Sequence, residues 1–113
     1  EPTPTMGIPW ETQKLRYDLI AEELRELMDA LADQDLVEVA DALGDLLYVV
    51  HGAGAAFGID LGQVFEEIHR SNMTKLGDDG LPIHRESDRK ILKGPNFEEP
   101  DLRSVLVDQG WRA

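Results

Sequence analysis

The stretch from Glu22 to Asp45 constrains this chain more than any other. It holds two acidic clusters, Glu22-Glu23-Leu24-Arg25-Glu26 and Glu38-Val39-Ala40-Asp41-Ala42-Leu43-Gly44-Asp45. A helix turns about 100° per residue, so Glu22 and Glu26 stack one above the other with Glu23 on the flank. Glu38, Asp41 and Asp45 fall at i, i+3 and i+7, on a narrow stripe of a second helix. Unit charges about 4 Å apart repel by about 4 kcal/mol at an effective dielectric near 20. Six carboxylates on two adjacent helical faces therefore call for a cation between them, or for partial protonation.

The apolar positions around the acids predict how these helices pack. A helix from about Trp10–Thr12 to Ala32 has one stripe of Tyr17, Ile20, Leu24, Leu27, Met28 and Leu31, while Leu15 and Leu19 align with the acids on the other side. A surface helix has one apolar stripe and a solvated back, so a helix apolar on both sides turns its acids into a bundle. Asp33-Gln34-Asp35 reads as a turn with Asp35 as N-cap. The next helix, Leu36 to about Phe57, carries an apolar arc of Leu36, Val39, Leu43, Leu46, Leu47 and Val50. Its glycines, Gly44, Gly52 and Gly54, cost helix propensity, and together with Ala53, Ala55 and Ala56 they suit close approach of a neighbour. The expected fold is all-α: an antiparallel helical hairpin plus a third helix. A four-helix-bundle-type homodimer, or a dimer of dimers, would cover the remaining apolar surface.

The rest of the chain frames this hairpin. Residues 1–9 contain three prolines and read as an extended lead-in. After Gly58-Ile59, Asp60 with Gln63 resembles a capping box. The third helix, Leu61 to about Lys75, has Leu61, Val64, Phe65 and Ile68 on one face, with Asn72 and Lys75 continuing it, as a pocket rim or a fraying end would. From Leu76 onward Gly and Pro punctuate an extended tail expected to drape over the bundle, with a short helix from Asp101 to about Leu106. The tail combines Lys90, Lys93, Gly94, Asn96 and Phe97. A chain of 113 residues favours one domain, 1–113, with a helical core of about 10–75 and the tail 76–113. It opens on Glu1 rather than Met, which fits a trimmed start.

Composition narrows the chemistry. With no cysteine there are no disulfides, thiolate-zinc sites or thiol nucleophiles, and a cytoplasmic setting is expected. The formal charge of −12 disfavours nucleic acid or an anionic membrane as partner. No apolar run approaches the roughly 20 residues of a membrane span. A carboxylate-rich interhelical site without paired histidines suits Mg2+, with Mn2+ as a substitute, and such sites hold substrate phosphates as well. Glu66-x-x-His69 occurs once, whereas di-iron bundles need that motif on two helices. His51 and His84 have no partner at ligand spacing. No Walker-type loop, dinucleotide fingerprint or serine nucleophile motif is present.

These residues carry a resemblance. Glu22-Glu23-x-x-Glu26 followed by Glu38-x-x-Asp41 resembles the EExxE…ExxD signature of the all-α nucleoside triphosphate pyrophosphohydrolases, which include MazG-type enzymes, dimeric dUTPases and phosphoribosyl-ATP pyrophosphohydrolases. Asp41-Ala-Leu-Gly-Asp45-Leu-Leu-Tyr48, His69-Arg-Ser-Asn72-Met-Thr-Lys75 and Lys93-Gly-Pro-Asn96-Phe97 extend it toward the MazG-like, phosphoribosyl-ATP pyrophosphohydrolase-like branch, from about Pro2 to Leu106. The resemblance implies magnesium-dependent hydrolysis of a nucleoside triphosphate to monophosphate and pyrophosphate. It implies Glu22, Glu26, Glu38 and Asp41 as metal ligands, and Glu23 as a further ligand or the base. Glu23 and Glu26 are then the residues on which turnover depends. In other branches the final acid directly precedes the Leu-Leu-Tyr run, so Asp45 is kept beside Asp41, with Ala42 where those branches have a glutamate. Asn72, Lys75, Lys93, Asn96 and Phe97 become substrate contacts, the tail closing over the nucleotide. The expected substrate is dUTP or another non-standard deoxynucleotide, in a house-cleaning role. The rivals are phosphoribosyl-ATP hydrolysis in histidine synthesis and a non-catalytic acidic helical dimer that binds a basic partner.

Overall fold

The structure, a computed structural model, describes residues 2–112; Glu1 and Ala113, the ends of the expected 1–113 domain, lie outside the described residues. It divides into two compact units, one running to Asp60 and taking in the segment from Gln109, the other Leu61–Asp108.

The first unit is a helical hairpin of α1 (Trp10–Ala32) and α2 (Leu36–Ala56). Its turn is built from local hydrogen bonds. Gln34 adopts a left-handed φ of 56°, and the Asp35 N–H reaches back to the Ala30 carbonyl at 3.2 Å, as in a Schellman closure. Glycine is the usual residue there; Gln34 instead donates its side-chain amide to the Leu31 carbonyl at 2.9 Å. Asp35 caps α2 as expected, accepting the Glu38 N–H at 3.2 Å. The lead-in lies against the far end of α2, where the Thr5 N–H donates to the Phe57 carbonyl at 2.9 Å. Gly58, at φ +70°, lets the Thr3 backbone approach so closely that a Cβ would collide with it. Gln109 closes this unit with two hydrogen bonds to the Asp60 backbone, at 2.8 and 3.0 Å. The Asp60 N–H that a capping box would hand to Gln63 is thus donated to Gln109.

Little of the first unit is buried. Among the described aliphatic and aromatic side chains of this unit only those of Pro4, Ala30 and Ala42 are buried. Tyr17, Leu24, Met28 and Leu31 on the α1 stripe are exposed, as are Leu36, Leu43, Leu47 and Val50 on α2. Among the described residues no single helix is long and apolar enough to cross a membrane.

The second unit comprises α3 (Leu61–Met73), a two-stranded antiparallel ribbon of β1 (Ile83–His84) and β2 (Ile91–Leu92), and α4 (Leu102–Asp108). Helix α3 stops two residues short of Lys75, because Thr74 and Lys75 bond at i→i+3 to Ser71 and Asn72 in a tighter turn. The fold is all-α as expected, and this short ribbon is a local feature that the sequence pattern did not anticipate. Two-residue strands are too short to show an alternating pattern, and this pair is closed by local polar contacts instead. The Arg85 guanidinium binds Asp88 at 2.6 Å, and Arg89 takes a left-handed φ of 64°.

The tail is tied to α3 rather than loosely draped. Buried Ser71 donates its hydroxyl to the Glu98 carbonyl at 2.8 Å, and the Glu98 N–H donates to the Thr74 hydroxyl at 2.8 Å. Arg70 bridges Glu67 and Glu98, while Glu67 also accepts the Asp101 N–H at 2.7 Å. Gly94 sits directly on the Lys75 and Leu76 carbonyls, where a Cβ would not fit. These contacts explain why α3 groups with the tail in one unit.

Candidate metal centre

Glu23 and Glu26 on α1 and Asp45 on α2 converge, each offering a carboxylate oxygen within 4.8 Å of the others. Glu23 is half-buried, and its Oε2 is shut off from solvent with no hydrogen-bond partner; Glu26 and Asp45 are exposed. The Glu23 carboxyl is pushed up to about 7, first because it shares a hydrogen bond with Glu26. Partial burial and the charges of Glu26, Asp45 and Glu22 push it the same way. Without a cation, the cluster therefore retains a proton near neutral pH. An orphaned carboxylate oxygen within an oxygen-only donor set fits a hard divalent cation, which would take the place of that proton.

The other expected acids are placed differently. Glu22 is exposed and acts on Glu23 through its charge. Glu38 and Asp41 line a neighbouring cavity of about 370 Å³, together with Glu26, Asp29 and Asp33. Glu26 thus borders both the trio and this second acidic space. Asp29 and Asp33 were not singled out in the sequence, although their i+3 and i+7 spacing from Glu26 marks the same face.

Arg16 was also missed. Seven residues before Glu23, it occupies the same stripe of α1, and Gly52 stands seven residues beyond Asp45 on α2, as antiparallel helices require. A Cβ on Gly52 would lie 2.8 Å from the Arg16 Nη1, so the glycine makes the space that the guanidinium occupies. The Arg16 Nε is buried and has no hydrogen-bond partner. A buried unsatisfied donor costs about 1–3 kcal/mol. Its signal in the sequence was a cation in line with Leu19 and Glu23.

The five expected substrate contacts belong to the second unit. Asn72 is exposed and Lys75 half-buried at the end of α3. Lys93 sits over the Phe97 ring, 4.7 Å from its centre, and Asn96 donates to Asp78 at 3.1 Å. His69 stacks on Phe65, with ring centres 6.4 Å apart. Among the described residues neither Glu66 nor His69 joins a metal-binding group.

A family model described as phosphoribosyl-ATP pyrophosphohydrolase matches residues 1–72, which include the whole hairpin, the carboxylate trio and the acids of the neighbouring cavity. The chain belongs to this family. Within the wider group of MazG-like pyrophosphohydrolases its all-helical hairpin is the expected scaffold. A crystal structure from Exiguobacterium sp. 255-15, named provisionally as an NTP pyrophosphohydrolase, is similar with a TM-score of 0.60 and 34% identity, over 88% of this chain and 60% of that one. Uncharacterized protein L479 of Acanthamoeba polyphaga mimivirus is 57% identical over 51 residues, 45% of this chain. The chain spans 20% of that viral protein and 60% of the Exiguobacterium chain.

Proposed function

We propose that this family member is a magnesium-dependent pyrophosphohydrolase that cleaves the α–β phosphoanhydride of a nucleoside triphosphate, releasing the monophosphate and pyrophosphate. The observation that carries this reading is the convergence of Glu23, Glu26 and Asp45 on the hairpin that the family model matches. Bound there, a divalent ion supplies charge neutralisation and polarisation of a phosphoryl oxygen. The carboxylates do the rest. Glu26 and Asp45 would hold the cation, and Glu23, the half-buried member of the trio, would accept the proton of the attacking water as the phosphoanhydride breaks. Water adds to phosphorus, the pyrophosphate leaves, and the proton stays on the carboxylate until solvent takes it.

Phosphoribosyl-ATP is the first substrate to test, because the matching family model carries that name. A deoxynucleotide such as dUTP is the second reading. The segment with Lys93, Asn96 and Phe97 lies beyond the family match at residue 72, so it can bring a different specificity. The working unit is a homodimer in this reading. The exposed stripes of α1 and α2 form more unpartnered apolar surface than a monomer ordinarily keeps, and a second copy of the hairpin covers it. The test is product analysis with Mg2+ over phosphoribosyl-ATP and a panel of standard and non-standard triphosphates. Monophosphate plus pyrophosphate supports the reading, and Glu23→Gln and Glu26→Gln should each abolish that turnover while still folding. Orthophosphate release would show that the reaction class is wrong, and no turnover of any of these compounds would refute the reading in favour of a non-catalytic acidic dimer.

A further inference from the structure

We propose that Arg16 is a phosphate-binding residue, its guanidinium receiving the pyrophosphate portion of the substrate beside the carboxylate trio. This assignment rests on the pyrophosphohydrolase reading for the identity of the ligand, while its geometry stands apart from it. Three features of Arg16 point the same way. Its Nε is buried and makes no hydrogen bond, so one fork of the guanidinium is unsatisfied. Its Nη1 rests where the absent side chain of Gly52 would be, which holds the group against α2 rather than out in solvent. It also lines an open cavity of about 600 Å³ with Lys14, Tyr17, Asp18, Ala53 and Phe57, from which a ligand can approach the side chain.

The charge pattern leaves this guanidinium open to an anion from outside the chain. Acids outnumber Lys and Arg by 23 to 11, yet among the described residues no carboxylate lies within ion-pair distance of Arg16. One turn toward the trio on each helix stand half-buried Leu19 and Val49, apolar side chains that offer the guanidinium nothing. Arg16 and Glu23 are two helical turns apart, about 10 Å along the axis. That is the reach of a phosphate chain whose inner end is held at the metal and whose outer end meets a guanidinium. A planar fork with free donors is the group best shaped for phosphate oxygens.

The probe is inorganic pyrophosphate, titrated calorimetrically into the full chain at saturating Mg2+. The wild type should bind it. Arg16→Gln should weaken binding about ten- to a hundredfold, as loss of a charge-assisted hydrogen bond does. Arg16→Lys keeps the charge without the fork and should fall between the two. Gly52→Ala leaves Arg16 in the sequence but displaces its guanidinium, and should weaken binding about tenfold. All three should keep the magnesium-induced rise in melting temperature, which reports the metal site separately. Should Arg16→Gln not fold, Arg16→Lys and Gly52→Ala decide. Wild-type affinity in the folded variants, or no pyrophosphate binding by the wild type, overturns the assignment. Pyrophosphate binding that depends on Arg16, in a protein that hydrolyses none of the triphosphates, would refute the proposed reaction and leave the assignment standing.

Discussion

The sharpest test of the metal centre compares Asp45→Asn with Asp41→Asn. Both acids lie on α2, one turn apart, and both follow from the same sequence stripe. Only Asp45 brings an oxygen within 4.8 Å of those of Glu23 and Glu26; Asp41 faces the adjoining cavity instead. Asparagine keeps the shape of either side chain and removes the charge, so the trio would fall from three formal negative charges to two. Altering an outer-shell group of a metal site costs about 10–100-fold in affinity, and loss of a direct ligand should reach the upper end. Where wild type is saturated about a hundredfold, a hundredfold loss of affinity removes nearly all of the ligand-linked stabilisation. For a domain of this length that is roughly 10 °C of magnesium-induced shift. The assay is thermal melting at fixed pH and ionic strength, with Mg2+ titrated from zero to saturation. Asp45→Asn should lose most of the shift, while Asp41→Asn should keep at least half. Asp45→Asn should also melt higher than wild type without Mg2+, since one repulsion is gone. A full magnesium shift in Asp45→Asn, with loss of the shift in Asp41→Asn, would show that the ion sits in the neighbouring cavity and that the trio is not its site.

The raised Glu23 carboxyl sets a second expectation, for the metal-free protein. The folded state holds its proton up to about 7 and the unfolded state only to about 4.5, so stability should fall as pH rises through that window. Glu23→Gln should flatten the fall in melting curves collected between pH 4.5 and 7.5. Glu67 has the opposite sign. Its hydrogen bond to Arg70, helped by the Asp101 N–H, lowers it to about 2, so its stabilisation is complete above about 4.5 and is lost as pH falls toward 2. The difference in melting temperature between wild type and Glu67→Gln should therefore shrink over that range. Gly94→Ala would set a Cβ 2.6 Å from the Lys75 carbonyl oxygen, forcing the backbone apart. The expected cost is about 1–3 kcal/mol, seen as faster amide exchange at Phe97 and Glu98. Leu47, 62% exposed in the single chain, should prove interfacial. Leu47→Glu should shift sedimentation toward monomer, and an unchanged mass would place the partner copy elsewhere.

Local rules written in the sequence were enough for the hairpin. Periodicity located both of its helices to within a residue, and Asp35 caps the second because an aspartate beside free N–H groups has few better partners. The same rules placed six acids on facing stripes and anticipated that a cation-free cluster keeps a proton. They could not separate Asp45 from Asp41, because one turn of helix leaves both on one stripe; only the register of α2 against α1 selects which oxygen meets Glu23 and Glu26. Nor could they find Arg16, whose significance depends on a glycine 36 positions away opening space for it (52 less 16). The tail shows the same division. Its Gly and Pro content marked the end of regular helix, but a two-residue ribbon and the clasp of Ser71, Thr74 and Glu98 arise from contacts between distant residues. Sequence alone determines what is local in helix, cap and charge pattern, since those depend on neighbours a few residues apart. Tertiary packing decides which carboxylates share a proton and which glycine makes room for the Arg16 guanidinium, since those depend on how one helix is aligned against another.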